Sequence, residues 1–87
     1  MTKKTFLCTL MVRDGLTPAN GKKIVADLEI EVDYWQDEYN VRHLAADKVD
    51  HKWKYEPNFR KTMNEHFEVP PGKTIWHYFV IGDSVEL

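Results

Sequence analysis

The 87-residue chain is poor in cysteine, glycine and proline, with one, four and four of these residues. Its single cysteine, Cys8, excludes an intramolecular disulfide and any zinc site built from several cysteines, and favours a reducing compartment. The low glycine and proline content excludes collagen-like and low-complexity chains. With 43% hydrophobic and 30% charged residues, the composition predicts one soluble domain over residues 1–87.

Long apolar runs and a surplus of positive charge are also missing. The longest apolar stretches fall far short of the roughly 20 residues that span a bilayer. The basic start is followed by a stretch broken at Thr9, Arg13 and Asp14, so we expect no signal peptide. A net charge of -2 and a pI near 6.0 argue against a broad electrostatic grip on nucleic acid or anionic membrane. We therefore expect a cytoplasmic protein that begins at its own methionine and has no membrane partner.

Two segments alternate apolar and polar residues with a period of two, which is typical of β-strands. They predict strands over residues 5–13 and 24–35. Asp14-Gly15 and Asn20-Gly21 between them are turn sequences, because glycine adopts the positive φ that tight turns require. The two strands are therefore expected to form a hairpin with a wide loop.

The middle of the chain is ambiguous. Residues 36–50 fit both a strand and a helical stripe, and the acidic start at Asp37 and Glu38 together with the alanines favours the helix. Residues 51–55 alternate again and predict a short strand.

The last third predicts one helix and one strand. Apolar residues recur every four positions after Pro57, which predicts a helix over 57–67 that Pro70 and Pro71 cannot continue. Residues 73–81 are apolar on nearly both faces, which suits a central or covered strand ending at Gly82-Asp83. The expected fold is α+β: an antiparallel sheet of about four strands with one or two short helices packed on one face.

The second strand predicts an acidic row, with side chains on one face about 6.6 Å apart; its members are Asp27, Glu29, Glu31 and Asp33. All six charged residues between positions 27 and 38 are negative, and like charges in a row repel one another. Three interpretations are open. Lysines of the neighbouring strand could neutralise the row, or the row could protect a sheet edge against aggregation. It could also occupy a basic groove that normally holds a phosphate backbone.

The leading hypothesis is a non-catalytic protein-binding module without cofactor or metal, an inhibitor or regulator of a nucleic-acid-handling protein. Small phage-encoded antagonists of host defence often act in this way, by occluding a partner with a basic surface. Aromatic residues beside the acidic row would anchor that partner. The predicted binding residues are Asp27, Glu29, Glu31, Asp33, Tyr34, Trp35, Asp37 and Glu38.

A second hypothesis is a single-stranded nucleic-acid binder. Lysines alternate with aromatics over residues 52–55, and such interleaving places stacking surfaces beside cations. The ordinary interpretation is an amphipathic strand with its aromatics in the core. The residues concerned are Lys52, Trp53, Lys54, Tyr55, Arg60 and Lys61.

A third hypothesis is a metal-dependent enzyme. His43, Asp47 and His51 would lie at i, i+4 and i+8 of one helix and could ligate zinc. The spacing is generic and lacks the glutamate that activates water in H-E-x-x-H sites. Pro71-Gly72-Lys73-Thr74 lacks the earlier glycine of a phosphate-binding loop. We therefore expect no enzyme, and a homodimer is compatible with this small, aromatic-rich chain.

Overall fold

The computed structural model describes residues 2–87 and has a three-stranded antiparallel sheet in the order β2-β1-β3. Two helices, α1 and α2, pack against one face of this sheet. The elements in chain order are β1 Lys3–Val12, β2 Ile24–Asp33, α1 Glu38–Tyr55, α2 Pro57–Asn64 and β3 Phe79–Glu86. The predicted α+β class, with helices on one face of an antiparallel sheet, is confirmed; the sheet has three strands where about four were expected.

The core lies between the helices and the face of the sheet that alternate strand residues provide. These buried strand residues are Phe6, Cys8, Leu10 and Val12 from β1, Leu28, Ile30 and Val32 from β2, and Phe79 from β3. Val41, Ala45 and Val49 of α1 pack onto them from above. Cys8 is fully buried, and its Sγ lies 3.4 Å from the Ser84 Oγ. Its role is that of a small core residue.

Helix α1 settles the ambiguity of residues 36–50 and extends further than expected. Asp37 caps its start by accepting a hydrogen bond from the Asn40 N–H at 3.1 Å. The strand predicted over 51–55 is wrong, because these residues form the last turns of α1. Trp53 continues the apolar stripe at four-residue spacing and packs against the core. Its position satisfies a period of two and a helical period equally, so alternation alone could not separate them.

The end of α1 is stabilised by a residue of the next helix. Arg60 Nη1 donates hydrogen bonds to the carbonyls of Trp53 and Lys54, at 2.9 and 3.0 Å. Helix α2 begins at Pro57 as predicted and ends at Asn64, three residues before the expected end. His66 follows the helix, is buried, and donates from Nδ1 to the Lys22 carbonyl at 2.6 Å. This bond fastens the loop between β1 and β2 to the helical layer.

The C-terminal strand differs from its prediction in position and environment. The β-branched and aromatic residues after Thr74 form a short 3-10 turn, Ile75–His77, so the strand predicted over 73–81 starts only at Phe79. Gly82 and Asp83 do not end β3. They form a bulge, since Cys8 pairs with Ser84 and Leu10 with Ile81. β3 is an edge strand, and the central strand is β1.

The hairpin between β1 and β2 is confirmed. β1 pairs antiparallel with β2, and Gly15 and Gly21 in the connecting loop have φ angles of 85° and 75°. Only glycine adopts such angles without a steric penalty, which is why the turn sequences located this loop correctly.

Replacing Phe79 with alanine should destabilise the fold severely. Phe79 is fully buried, and its ring packs edge-on against that of Phe67, with 6.3 Å between the ring centroids. Loss of a buried phenylalanine costs about 3–5 kcal/mol, a large part of the roughly 5–15 kcal/mol that stabilises a domain. The free energy of unfolding in urea measures the effect. Val85→Ala on the same strand, where the side chain is exposed, should change it by about 0.5 kcal/mol or less. Equal effects of the two substitutions would contradict this core.

Candidate functional site: the open face of the sheet

The face of the sheet opposite the helices is open to solvent, and we call it the open face. Its residues are those out of phase with the buried ones on each strand. They are Lys3, Thr5, Leu7, Thr9 and Met11 of β1, Ile24 and the acidic row of β2, and Val80 and Val85 of β3. Ile24 joins them because a bulge in β2, opposite Leu10 and Met11, shifts the register by one residue and turns Ile24 to this side. All of them are exposed or half-buried.

Strand register decides which side chains meet on this face. Glu29 lies opposite Leu7, which lies opposite Val85. Nearer the β1–β2 loop, Met11 stands between Ile24 and Val80. The open face is therefore acidic along β2 and largely apolar towards β3.

The acidic row has one cation from the neighbouring strand. Lys3 lies opposite Asp33, with 2.8 Å between Nζ and Oδ1. The hydrogen bond and the charge of Asp33, together with a smaller effect of the Glu31 charge, raise the pKa of Lys3 above its ordinary value of 10.5. Neutralisation by lysines of β1 thus holds at one end of the row only.

The other three carboxylates face uncharged residues of β1. Thr5, Leu7 and Thr9 lie opposite Glu31, Glu29 and Asp27 respectively, and Thr9 Oγ1 donates to Asp27 at 3.5 Å. Within residues 2–87, none of these three carboxylates takes part in a salt bridge. They form a line of like charges on a solvent-exposed strand.

β2 is an edge strand, so protection of the edge also has to be weighed. Lys48 of α1 reaches the edge and donates from Nζ to the Glu29 carbonyl at 3.1 Å. The Gln36 side chain accepts from the Asp33 N–H at 3.1 Å. These contacts hinder the addition of another strand whatever the side chains of the row. At the other edge, the Gly82-Asp83 bulge in β3 interrupts regular pairing.

Exposed aromatic side chains extend the acidic row at its end. Tyr34 and Trp35 follow β2 in the turn before α1, with 64% and 66% of their surface exposed. Glu38 is exposed in the first turn of α1, whereas Asp37 caps that helix. Tyr39 is equally exposed beside them and was not among the predicted site residues.

Sequence reasoning also missed the apolar part of the open face. Leu7 and Met11 are large apolar residues at the outward positions of β1, where an ordinary solvated strand is polar. That departure from strict alternation was the available signal. No such signal marked Ile24 and Val85 in the sequence, because their exposure depends on strand pairing.

The six residues of the nucleic-acid hypothesis do not form one surface. Trp53 packs on the core, and Tyr55, two residues on, is exposed because two residues turn a helix by about 200°. Lys52 lies 3.4 Å from Glu56 and over the ring of Phe59, and Arg60 binds backbone carbonyls. Lys54 and Lys61 are exposed.

The residues of the metal hypothesis lie on α1 with the expected helical spacing, and all three are exposed. The His43 ring packs edge-on against Tyr39, with 4.6 Å between ring centroids, and the His51 ring lies tilted against Tyr55, with 4.7 Å between centroids. Among residues 2–87, no group of three or more His, Cys, Asp or Glu side chains is placed to hold a metal ion. His43, Asp47 and His51 therefore do not converge on one ion in this fold.

Neither pockets nor membrane-spanning helices occur in the described part of the chain, residues 2–87. Comparison with protein-family models, curated proteins and solved structures gives no match. The candidate functional site is the open face, with its acidic row and the adjoining aromatic residues, and it rests on the geometry of that face.

Removing one charge from the middle of the row should stabilise the protein. At about 6.6 Å in water without salt, two neighbouring carboxylates repel by about 0.6 kcal/mol. Glu29 has two such neighbours, so Glu29→Gln should raise the free energy of unfolding by up to roughly 1 kcal/mol at low salt. The gain should shrink in 1 M salt, where screening acts within about 3 Å.

Lys3→Gln is the matched control for this measurement. It removes the cation paired with Asp33, so it should lower stability at low salt, the opposite sign. A destabilising effect of Glu29→Gln at low salt would contradict an unneutralised row.

Proposed function

We propose that this chain is a non-catalytic protein-binding module that inhibits or regulates a nucleic-acid-handling protein. Its acidic row would occupy a basic surface on that protein, where phosphates otherwise bind. The observation that carries the proposal is the alignment of Asp27, Glu29 and Glu31 on the open face, where none of the three forms a salt bridge within residues 2–87.

The charges of the row favour a basic partner. Their mutual repulsion is a standing cost to the folded chain, and lysines or arginines of a partner would relieve it. A line of anions on a rigid strand would also displace counterions from a basic groove, as a phosphate backbone does. The same charges steer encounter and would make association faster at low salt.

The aromatic residues at the end of the row supply contacts that charge alone does not. Tyrosine and tryptophan dominate the binding energy of many interfaces when they are buried there. Tyr34 and Trp35 are mostly exposed and adjoin the row directly. Burial of these two rings against the partner would give the complex an apolar anchor that resists salt.

Reversing the charge of two row residues should abolish this binding. Glu29→Lys/Glu31→Lys places cations against a basic surface, so we expect affinity to fall about 100-fold, roughly 3 kcal/mol. The measurement is affinity capture from the native lysate, followed by titration of the captured protein. The intact chain should also compete with nucleic acid for that protein.

Glu65→Lys/Glu68→Lys is the matched control, because it changes the net charge equally at exposed positions outside the open face. It should leave capture intact. Capture that survives Glu29→Lys/Glu31→Lys would refute the proposal. Recovery of nucleic acid without any protein would favour the nucleic-acid-binding alternative instead.

A further inference from the structure

The open face carries an apolar surface next to the acidic row. Ile24, Met11 and Val80 cross the sheet side by side near the β1–β2 loop. Met11 also covers Gly82, since a Cβ at that glycine would lie 2.7 Å from the Met11 Sδ. Leu7 and Val85 extend the apolar surface towards the other end of the face. A partner that fits this face must therefore offer positive charge on one side and apolar surface on the other.

Charge excludes several occupants of the face. Nucleic acid and anionic lipid carry the same sign as the acidic row. A second copy seated face to face would add a second acidic row to the interface, and Lys3 on its open face is already paired with Asp33. A strand could be added at β2 only by displacing the contacts that Lys48 and Gln36 make with the β2 backbone. A basic, amphipathic element that lies on the face and runs along the strands avoids each of these obstacles.

The dimensions of the face fit a single helix. Three strands at about 4.8 Å spacing measure about 10 Å from β2 to β3, and an α-helix with its side chains is about 10–12 Å wide. Residues four apart on a helix rise by about 6.0 Å, close to the roughly 6.6 Å between neighbouring carboxylates of the row. One basic side chain per turn could thus meet one carboxylate each.

Resting on the proposed function, we infer that the partner presents one amphipathic α-helix to the open face. Its lysines or arginines at i, i+4 and i+8 pair with Asp27, Glu29 and Glu31. The apolar stripe beside them covers Leu7, Met11, Val80 and Val85. The partner is thus recognised by a basic helix with its charges and apolar residues on separate sides.

Synthetic peptides test this inference without the partner itself. The probe is a 16-residue helical peptide with lysine once per turn and a leucine stripe beside the lysines. A scrambled peptide of the same composition and a version with a central proline, which breaks the helix, serve as controls. We expect the probe to bind at least 10-fold more tightly than either control. Its helical circular dichroism should rise on binding, and backbone amide shifts should change on β1 and β2.

Variants of the protein divide the contribution of the two halves of the face. Glu29→Lys/Glu31→Lys should weaken probe binding at least 10-fold. Val85→Arg, at a position that is 58% exposed, should weaken it several-fold, and this loss should persist in 0.5 M salt. Glu65→Lys/Glu68→Lys should bind the probe like the original chain.

The outcomes separate this inference from the proposed function. Equal binding of all three peptides, or no binding of any, overturns the helix inference. So does unchanged probe binding by Glu29→Lys/Glu31→Lys. In each of these cases, capture of a protein partner that depends on the acidic row leaves the proposed function standing. Partner capture that ignores the row refutes the proposed function, whatever the peptides do.

Discussion

Packing of α1 against one face of the sheet is the interaction on which the rest of the structure depends. Val41, Ala45 and Val49 cover the apolar residues of β1 and β2, and within residues 2–87 the second helix, α2, packs into the same core on the same side of the sheet. Burial on one face is enough to hold a small antiparallel sheet together. It leaves the other face exposed, with properties set by the outward residues of three strands.

Those outward residues are not the mixed polar set that a purely solvated face would carry. β2 contributes carboxylates, of which Asp33 alone forms a salt bridge within residues 2–87, while β1 and β3 contribute Leu7 and Val85. Repulsion within the row and exposure of apolar surface both act against stability or solubility. Features that oppose stability commonly mark sites under selection for binding. Charge would govern the speed and specificity of association. Burial of the apolar half of the face would slow dissociation of the complex.

The edges of the sheet are guarded, which favours its open face as the candidate site. Lys48 and Gln36 engage backbone groups at the outer edge of β2, and the bulge at Gly82-Asp83 interrupts β3. Sheet edges guarded in this way are poor sites for strand addition. A partner approaching the sheet would therefore meet side chains rather than free backbone groups.

Local sequence patterns determined β1, β2, the hairpin turn and the buried role of Cys8, because each depends on neighbours close in the chain. Where one residue satisfied two periods, as Trp53 does, the pattern wrongly predicted a strand over residues 51–55, and packing on the core decided for the helix. The acidic row itself could be predicted from the alternation of residues on β2. Whether it was neutralised depended on which β1 residues lie opposite, and whether Ile24 and Val85 belong to the same surface depended on strand order. Register and strand order arise from contacts between distant residues, so only the tertiary structure could decide them.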